Sequence, residues 1–356
     1  MKIVADENMP GVEEWFSSYG QITRLPGREI RAVDVADAEV MLVRSVTNVN
    51  EELLHDSSVR FVGSATIGTD HVDCDYLASR NIHFANAPGC NANAVVEYVL
   101  SCLAALQPDW LNKQIAVIGC GNVGGSLLRM MQKLGVKVLG CDPYLDQTPD
   151  FMVRLEEALA SDVVCVHTPL TVAGENSTFH LLNRKTLAQI PDGALLINAG
   201  RGSVIDNQAL LGCLQQQHFR CALDVWENEP HINRELLDVV DIATPHIAGY
   251  SLDGKVKGTQ KVYEAFLQWL GQKQTGKLPD LTCINQSREI TVTSVNDAIL
   301  QTYDVKRDDR LLRKSPEDFD LLRKTYLHRL EFSHYLARCS ESESIRKILH
   351  IIGFAD

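Results

Sequence analysis

Residues 113–246 repeat one pattern of apolar and polar positions. A short apolar run, rich in Val, Ile, Leu and Ala, ends abruptly at a polar or glycine-containing motif, and a helical stretch follows it. The six runs are residues 115–118, 137–140, 163–166, 194–197, 221–223 and 242–243. Apolar runs of this kind, separated by helices, are typical of strands in a parallel sheet that is buried on both faces. The pattern therefore predicts a doubly wound α/β domain.

The N-terminal segment shows the same organisation and predicts a second α/β unit. Its strand-like runs end in turns within the segments IVADEN, VMLVRSV, RFVGSATIGTD and IHFANAP. A long helix is then expected from the stretch NANAVVEYVLSCLAAL, with Asn91 or Asn93 as its N-cap. Residues 251–270 carry apolar side chains at helical spacing. We expect this helix to return to the N-terminal unit, which would make that domain discontinuous.

Residues 281–356 have a pattern of their own, after the polar stretch GQKQTGKLPD that we interpret as a linker. EITVTSV alternates like a half-buried strand, and Ser315-Pro316-Glu317 combines a cap, a proline and an acid at a helix start. Four apolar residues share one helical face farther on: Ile345, Ile348, Leu349 and Ile352. An apolar face on so short a segment needs a partner, either the main body of the protein or a second subunit.

The composition narrows the classes of function. The 356 residues are 45% hydrophobic and carry a formal net charge of −12, and they include no basic stripe of the kind that nucleic-acid binders use. The ten cysteines form no C-x-x-C pair, so most are expected in the core, and no metal site is predicted. No apolar run is long enough to span a bilayer, and MKIVADENMP lacks the features of a signal peptide. We therefore expect a cytoplasmic protein that binds neither nucleic acid nor membrane.

The segment GCGNVG (119–124) follows the first apolar run and opens a helical stretch. Its G-x-G-x-x-G spacing permits a tight turn, close approach of the backbone to a pyrophosphate, and close packing of the helix on the strand. Asp142 lies 23 residues after Gly119, at the end of the next run. An acid at this place accepts hydrogen bonds from ribose hydroxyls and repels a 2′-phosphate. The alternative is a plain turn with a capping acid, but the combination predicts NAD binding rather than NADP binding.

Three residues suited to hydride-transfer chemistry follow separate apolar runs. Arg201 lies in NAGRGSVID, Glu229 in DVWENEP and His246 in TPHIAG. Each has a plain alternative, namely a surface arginine, a solvated loop acid and a structural histidine. Because the carboxyl ends of parallel strands meet at one edge of a sheet, we expect the three side chains to share one site beside the dinucleotide.

Oxidation of a hydroxyl-bearing carbon by hydride transfer needs a group that takes the hydroxyl proton. A histidine titrates near neutrality and can carry that proton, and a neighbouring carboxylate orients its ring. A guanidinium binds a substrate carboxylate in bidentate fashion and polarises the adjacent oxygen. The predicted catalytic roles are therefore proton transfer for His246, tuning of His246 for Glu229, and substrate binding for Arg201. His167 and His71 are rivals for the proton carrier.

The combination of GCGNVG, CDPY, NAGRGSVID, DVWENEP and PHIAG resembles the D-isomer-specific 2-hydroxyacid dehydrogenase family over about residues 40–250. The resemblance implies a two-domain fold with a cleft, NAD as cofactor, and the three catalytic roles given above. It also implies a set of cofactor-binding residues: Gly119, Gly121, Asn122, Val123, Gly124, Asp142, Thr168, Ala199, Gly200, Arg201, Asp224 and Gly249. Asp224 could instead serve only as a cap at the end of a strand.

Further features resemble one branch of this family, whose members carry an added C-terminal domain. These features are VRSVTNVN (43–50), FVGSATIGTDHVD (61–73), PHIAGYS and the C-terminal segment itself. The closer resemblance implies a small phosphorylated hydroxy acid as substrate, bound by Ser45, Thr66 and Tyr250. Hydroxyl and N–H donors at the end remote from the carboxylate suit a phosphate. Arg44 could add charge there, or it could be an ion-pair partner at the end of its strand.

The predicted fold is α/β, with two doubly wound domains and a small C-terminal α+β domain. A substrate (lid) domain is expected over residues 1–93 and 251–280, with a Rossmann NAD-binding domain inserted over 94–250 and a dimerisation domain over 281–356. The expected function is oxidation of the phosphorylated acid at its 2-hydroxyl by a homodimer. Two alternatives stay open: another 2-hydroxyacid dehydrogenase, such as one acting on D-3-phosphoglycerate, or an NAD-sensing regulator like the corepressors of this family.

Overall fold

The computed structural model describes residues 1–216, 219–273, 281, 287–327, 329–338 and 343–355. Within these ranges the strands are β1 (Lys2–Asp6), β2 (Gln21–Leu25), β3 (Val40–Val43), β4 (Phe61–Ser64), β5 (His83–Ala85), β6 (Ile115–Ile118), β7 (Val138–Cys141), β8 (Val163–Val166), β9 (Leu195–Asn198), β10 (Arg220–Leu223), β11 (Ile242–Ala243), β12 (Arg288–Thr291) and β13 (Tyr335–Arg338). The α-helices are α1 (Val12–Phe16), α2 (Ala32–Val35), α3 (Glu51–Leu54), α4 (Cys74–Ser79), α5 (Ala92–Leu106), α6 (Asn122–Lys133), α7 (Leu155–Leu159), α8 (Arg184–Leu187), α9 (Asn207–Leu214), α10 (Arg234–Val239), α11 (Leu252–Trp269), α12 (Val295–Thr302), α13 (Val305–Lys314), α14 (Phe319–Lys324) and α15 (Glu343–Ile351).

Two parallel sheets organise the chain. The first has the strand order β2-β1-β3-β4-β5, and the second has the order β11-β10-β9-β8-β6-β7. In the second sheet the chain runs from β6 to β7 on one side and then returns to β8 on the other side of β6. A reversal of this kind creates a crevice at the carboxyl ends of the strands, where ligands of doubly wound folds bind. The fold class predicted from the sequence is confirmed, including a small third sheet of β12 and β13.

The chain divides into two compact units, one made of residues 1–91 and 251–284 and the other of residues 92–250 and 285–356. In the first unit, alternate residues of each strand face two separate cores. Ile3 and Ala5 of β1 pack in the core that contains Phe266 of α11, whereas Val4 packs in the opposite core with Leu54 of α3. This alternation buries both faces of the sheet, which explains why its central strands read as continuous apolar runs.

The second unit buries its sheet in the same way. Ile115 and Val117 of β6 face the core formed with α5 and α6, whereas Ala116 and Ile118 face the core formed with α7 to α10. All six apolar runs recognised in the sequence coincide with strands of this sheet to within one residue at each end. The predicted helices over residues 91–106 and 251–270 are α5 and α11.

The C-terminal segment packs on the second unit. Ala298 and Ile299 of α12, together with Leu349 and Ile352, join the core formed by α5. The hydroxyl of Ser101 on α5 donates to the carbonyl of Tyr303 and accepts from the backbone N–H of Val305, the first residue of α13. The main body therefore covers much of the apolar face noticed in the sequence, and the segment belongs to a unit with residues 92–250. The predicted division into three domains stays a prediction.

Two strands were absent from the sequence-based expectation, β2 and β13. Residues 21–25 form β2, which pairs with β1 at the edge of the first sheet. Its side chains are exposed or only half-buried. An edge strand has no continuous apolar run, so its sequence lacks the signal that identified the central strands. The predicted linker falls mainly in residues 274–280, which lie outside the described residues. Of the helices that the structure describes, none is long and apolar enough to cross a membrane.

Candidate active site

The turn between β6 and α6 has the geometry that the G-x-G-x-x-G motif predicts. Gly119 adopts a φ of +85°, which suits glycine, and a β-carbon there would lie 2.8 Å from the backbone nitrogen of Thr168. A β-carbon on Gly124 would lie 1.9 Å from the carbonyl oxygen of Gly119, so this glycine permits the helix to pack on the strand. A β-carbon on Gly121 would meet no atom within 4 Å. The open space beside Gly121, at the N-terminus of α6, suits a pyrophosphate.

Asp142 lies directly after β7, and two backbone N–H groups orient its carboxylate. Oδ2 accepts from the N–H of Cys120 at 3.0 Å, and Oδ1 accepts from the N–H of Tyr144 at 3.1 Å. The acid is thus tied to the glycine turn itself. This is the arrangement in which a carboxylate receives the two ribose hydroxyls of NAD.

The turns after β8 and β9 complete the surroundings of the glycine turn. A β-carbon on Gly200 would lie 3.0 Å from the carbonyl oxygen of Thr168, so the two turns touch. The Thr168 hydroxyl and both ring nitrogens of His167 are buried, with no hydrogen-bond partner among the described residues. Buried polar atoms without partners are costly, and a polar cofactor would satisfy them. The residues present therefore fit NAD, with Gly121, Asn122 and Asp142 as those that would hold it.

His167 is a poor proton carrier. Burial lowers the pKa of its imidazole to about 4, so the ring is neutral at physiological pH. His71, the other rival, belongs to the first unit, where its Nε2 lies 2.9 Å from Oγ of Ser64.

Arg201, Glu229 and His246 follow β9, β10 and β11, which are neighbours in the second sheet. The Nη1 atom of Arg201 donates to the carbonyl of Gly200 at 2.9 Å, and the Arg201 carbonyl accepts from Asn198. These bonds fix the turn after β9. The structure thus brings all three residues to the same edge of the sheet, as expected.

His246 and Glu229 form a close pair. Nδ1 of His246 lies 2.7 Å from Oε2 of Glu229, and Oε1 of Glu229 accepts from the N–H of Trp226 at 2.8 Å. Burial alone would favour the neutral acid, but the charge of His246, its hydrogen bond and the Trp226 N–H outweigh it and lower the pKa of Glu229 below 4.5. Glu229 is therefore ionised, and its charge orients the imidazole.

Asp224 anchors the loop that carries His246. Its buried carboxylate accepts hydrogen bonds from the Thr244 hydroxyl at 2.7 Å and from the N–H groups of Ile247 and Ala248 at 2.8 and 2.9 Å. Desolvation raises the pKa of Asp224 despite these bonds and the charge of His246. The carboxylate thus caps the loop after β11. Its three bonds hold His246 at a φ of +55°, an uncommon conformation for a residue with a side chain. The role of Asp224 in cofactor binding stays a prediction.

Gly249 and Tyr250 end the same loop, whose turn is closed by a hydrogen bond from the Tyr250 N–H to the Ile247 carbonyl at 2.7 Å. The side chain of Tyr250 hydrogen-bonds to Arg323, and its ring meets that of Tyr326 edge-on at 5.9 Å. Both partners come from the C-terminal segment. No motif singled out Arg323 or Tyr326 in the sequence, because their position depends entirely on packing.

Ser45 and Thr66 belong to the first unit and follow its adjacent strands β3 and β4. Ser45 is exposed. The hydroxyl of Thr66 lies 2.8 Å from Oγ of Ser64 and donates to the carbonyl of Gly68 at 3.0 Å. Both predicted substrate residues therefore lie at the carboxyl edge of that sheet, where ligands of doubly wound folds bind.

A cationic pair accompanies Ser45 in the first unit. Nε of Arg44 lies 3.4 Å from Oδ2 of the fully buried Asp6, as in the ion-pair alternative considered above. Lys255, in the first turn of α11, has its pKa lowered to about 8 by burial and then by the charge of Arg44. The sequence patterns did not identify Lys255 as a site residue. The one available signal was the unfavourable placement of a cation near a helix N-terminus.

One group of side chains in the described part of the chain has the spacing of metal ligands: His180, Asp206 and Glu227. Nε2 of His180 lies 2.7 Å from Glu227, and Nδ1 lies 3.9 Å from Asp206. The two nitrogens of one ring point in different directions, so the carboxylates flank the imidazole instead of converging with it on a common point. Asp206 also caps α9, and Glu227 accepts from the N–H of Asn207. We therefore interpret the group as a cluster of ion pairs and hydrogen bonds that connects α9 to the loop after β10.

Comparison with known proteins agrees with this geometry. A family model described as the NAD-binding domain of D-isomer-specific 2-hydroxyacid dehydrogenases matches residues 102–248, and one described as a domain of unknown function (DUF3410) matches residues 277–352. The erythronate-4-phosphate dehydrogenase of Cellvibrio japonicus is 46% identical to this chain, over 99% of each chain. The enzyme of the same name from Teredinibacter turnerae is 47% identical to it, over 94% of each chain. The enzyme of that name from Escherichia coli is 44% identical over 99% of this chain and 98% of its own.

Solved structures share the fold. The NAD⁺-bound 3-phosphoglycerate dehydrogenase of Entamoeba histolytica superimposes with a TM-score of 0.67 at 21% identity, covering 78% of this chain and 99% of that chain. A D-lactate dehydrogenase of Aquifex aeolicus, complexed with NAD and lactic acid, gives a TM-score of 0.61 at 23% identity, covering 76% and 93%.

The chain belongs to the D-isomer-specific 2-hydroxyacid dehydrogenase family, and it is an NAD-dependent enzyme. The relatives that match it along nearly their whole length carry the name erythronate-4-phosphate dehydrogenase. The family resemblance and the NAD cofactor predicted from the sequence are thereby confirmed.

Proposed function

We propose that this enzyme oxidises 4-phospho-D-erythronate at its 2-hydroxyl, with NAD⁺ as oxidant, to give 3-hydroxy-2-oxo-4-phosphooxybutanoate. The observation that carries the chemistry is the 2.7 Å pair of His246 and Glu229 at the same sheet edge as Arg201. The choice of substrate is supported by relatives of 43–47% identity over 93–99% of this chain, each named erythronate-4-phosphate dehydrogenase.

In the proposed mechanism, Arg201 binds the substrate carboxylate and the neighbouring C2 oxygen, which orients the C2–H bond. His246 takes the hydroxyl proton as hydride leaves C2, and NAD⁺ supplies the hydride acceptor when bound. Nδ1 of His246 faces Glu229, so Nε2 is the atom that receives the proton. The imidazolium that forms is stabilised by the ionised carboxylate beside it, which keeps the proton on the ring until it exchanges with solvent.

The phosphate end of the substrate is assigned to Ser45, Thr66 and Tyr250. A phosphate needs several donors and a positive field, since it carries more than one negative charge at neutral pH. The cationic pair Arg44 and Lys255 supplies such a field in the first unit, next to Ser45. The hydroxyls of Ser45, Thr66 and Tyr250 would then select for the phosphorylated acid.

The substrate assignment is tested by NADH formation from the purified enzyme. We expect turnover with 4-phospho-D-erythronate, and a lower kcat/KM with D-3-phosphoglycerate and with unphosphorylated D-erythronate. A higher kcat/KM with D-3-phosphoglycerate would contradict the substrate assignment. Absence of turnover with every 2-hydroxy acid, combined with tight NADH binding, would point instead to an NAD-sensing regulator.

We further assign the reaction to pyridoxal 5′-phosphate biosynthesis, in the cytoplasm, by a homodimer. The pathway follows from the substrate, and a deletion strain that grows only with added pyridoxine would support it. Dimerisation through the C-terminal segment is supported by large apolar side chains that this segment exposes: Leu311, Leu321 and Leu327. Light scattering at micromolar concentration should give twice the mass of the chain, and a monomer would contradict the dimer.

A further inference from the structure

The loop that carries His246 makes three contacts with the C-terminal segment. Arg323 hydrogen-bonds to the side chain of Tyr250, and the Tyr326 ring meets the Tyr250 ring at an interplanar angle of 79°. Arg329 donates to the carbonyl of Ala248 at 3.4 Å. The segment thus contacts the loop between β11 and α11, here called the catalytic loop, at Ala248 and Tyr250, although it lies more than seventy positions away in the sequence.

The side chains that make these contacts are themselves fixed. Arg329 is buried, forms an ion pair with Glu97 of α5, and lies 4.2 Å from the centre of the Tyr303 ring. The Tyr326 hydroxyl donates to Asp308 at 2.7 Å. Because Glu97 lies on α5, Asp308 lies on α13 and Tyr303 follows α12, the contacts can impose a position on the loop instead of merely following it.

Arg323 is the member of the group closest to the chemistry. Its guanidinium is largely buried, which disfavours the charge, but the carboxylates of Glu229 and Asp320 and the hydrogen bond to Tyr250 outweigh burial and raise the pKa of Arg323 above its usual value. Nη1 lies 3.5 Å from Oδ1 of Asp320, and Nε is buried without a hydrogen-bond partner in the described residues. A buried guanidinium is expensive to desolvate, so its position between a predicted substrate residue and the carboxylate that orients His246 needs a compensating role.

We propose that Arg323 is a positioning residue of the active site. Its hydrogen bond orients the Tyr250 phenol, and its guanidinium places a positive charge near Glu229. The C-terminal segment thereby contributes directly to the active site. This inference rests on the proposed role of Tyr250 in binding the substrate. It assigns to residues 277–352, matched by a domain model of unknown function, a task in catalysis that dimerisation alone does not require.

The test is a double-mutant cycle with Arg323→Gln and Tyr250→Phe. Loss of a hydrogen bond to a charged group should lower kcat/KM for the phosphorylated acid by roughly 10- to 100-fold in Arg323→Gln, mainly through KM. In the Tyr250→Phe background the same change should cost less than about threefold, because the contact is already gone. Arg310→Gln is the matched control, since Arg310 is 66% exposed and lies in the same segment.

A purely structural brace would behave differently. It would lower the melting temperature and weaken NADH binding, and the loss in kcat/KM would be equal in both Tyr250 backgrounds. Equal losses, or an Arg323→Gln enzyme within about twofold of the wild type, would overturn the inference. If Arg323→Gln does not fold, Arg323→Lys, which keeps the charge, is compared in the two backgrounds in the same way.

The wild-type enzyme separates this inference from the proposed function. If the wild type oxidises D-3-phosphoglycerate better than 4-phospho-D-erythronate, the substrate assignment fails, and the cycle is run with the acid that is turned over. Coupling between Arg323 and Tyr250 would then still support the positioning role, and its absence would still contradict it.

Discussion

Nδ1 of His246 lies 2.7 Å from Oε2 of Glu229, while the backbone N–H of His246 donates to the carbonyl of Asp224 at 2.7 Å. Glu229 therefore orients the ring of His246, and the hydrogen bond to Asp224 fixes its backbone. This double attachment offsets the uncommon backbone conformation of His246 and aims Nε2 away from Glu229. A preorganised proton acceptor follows from this geometry.

Replacement of His246 removes that acceptor. We expect His246→Ala to lower kcat by roughly 10²–10⁴-fold, as for the loss of a general base, with the affinity for NADH unchanged. Steady-state kinetics and fluorescence titration with NADH measure the two effects separately. His167→Gln is the comparison, because His167 is the neutral rival. If His246→Ala turns over at nearly the wild-type rate, another group carries the proton.

The roles of Gly121 in cofactor binding and of Gly124 in helix packing can be separated by adding one methyl group at a time. Gly121→Ala should leave the melting temperature of the protein nearly unchanged, since the new β-carbon meets no atom within 4 Å. It should weaken NAD binding by at least about tenfold, because the methyl group occupies the space where the pyrophosphate approaches the backbone. Gly124→Ala should lower the melting temperature, since its β-carbon would lie 1.9 Å from the Gly119 carbonyl. The reverse order of effects would contradict this assignment.

Asp142 should decide between the two dinucleotides. In Asp142→Ser, loss of the carboxylate removes the ribose hydrogen bonds and the repulsion of a 2′-phosphate. We expect the ratio of kcat/KM for NADP to that for NAD to rise on the order of 10- to 100-fold, from the energy of charged hydrogen bonds. The nearby exposed acid Asp146 provides the control as Asp146→Ser. An unchanged ratio would mean that Asp142 only caps its turn.

His167 links stability to pH. Its pKa is lowered from 6.5 to about 4 in the folded protein, so the unfolded chain binds a proton over this range and the folded chain does not. The stabilisation is complete above pH 6.5 and is lost as the pH falls towards 4, by at most about 3 kcal/mol. In NMR spectra of histidine-labelled apoprotein, the resonance absent from His167→Gln should not titrate above about pH 5. Titration of His167 near pH 6.5 would refute the prediction.

The strands of the second sheet could be predicted from the sequence because burial on both faces leaves them almost entirely apolar, apart from Asn198 at the end of β9 and Arg220 at the start of β10. β6 is the clearest case, since Ile115–Ile118 face two cores in turn and each residue must be apolar. The site followed from the same logic, because Asp142, Arg201, Glu229 and His246 are polar residues in the segments that follow such strands. β2 was missed for the opposite reason, as its half-exposed edge position imposes no such pattern.

The sequence by itself therefore determined the parallel sheets, the glycine turn and the polar residues at the strand ends, since these depend on local periodicity and on the direction of the chain. Only the tertiary structure decided which side chains meet: Glu229 with His246, Asp224 with the loop after β11, and Arg323 with Tyr250. These contacts depend on how helices and loops pack across long stretches of chain. No periodic pattern in the sequence indicates such packing. The residues around Arg323 in the sequence would look the same whether its side chain lay on the surface or beside the catalytic loop.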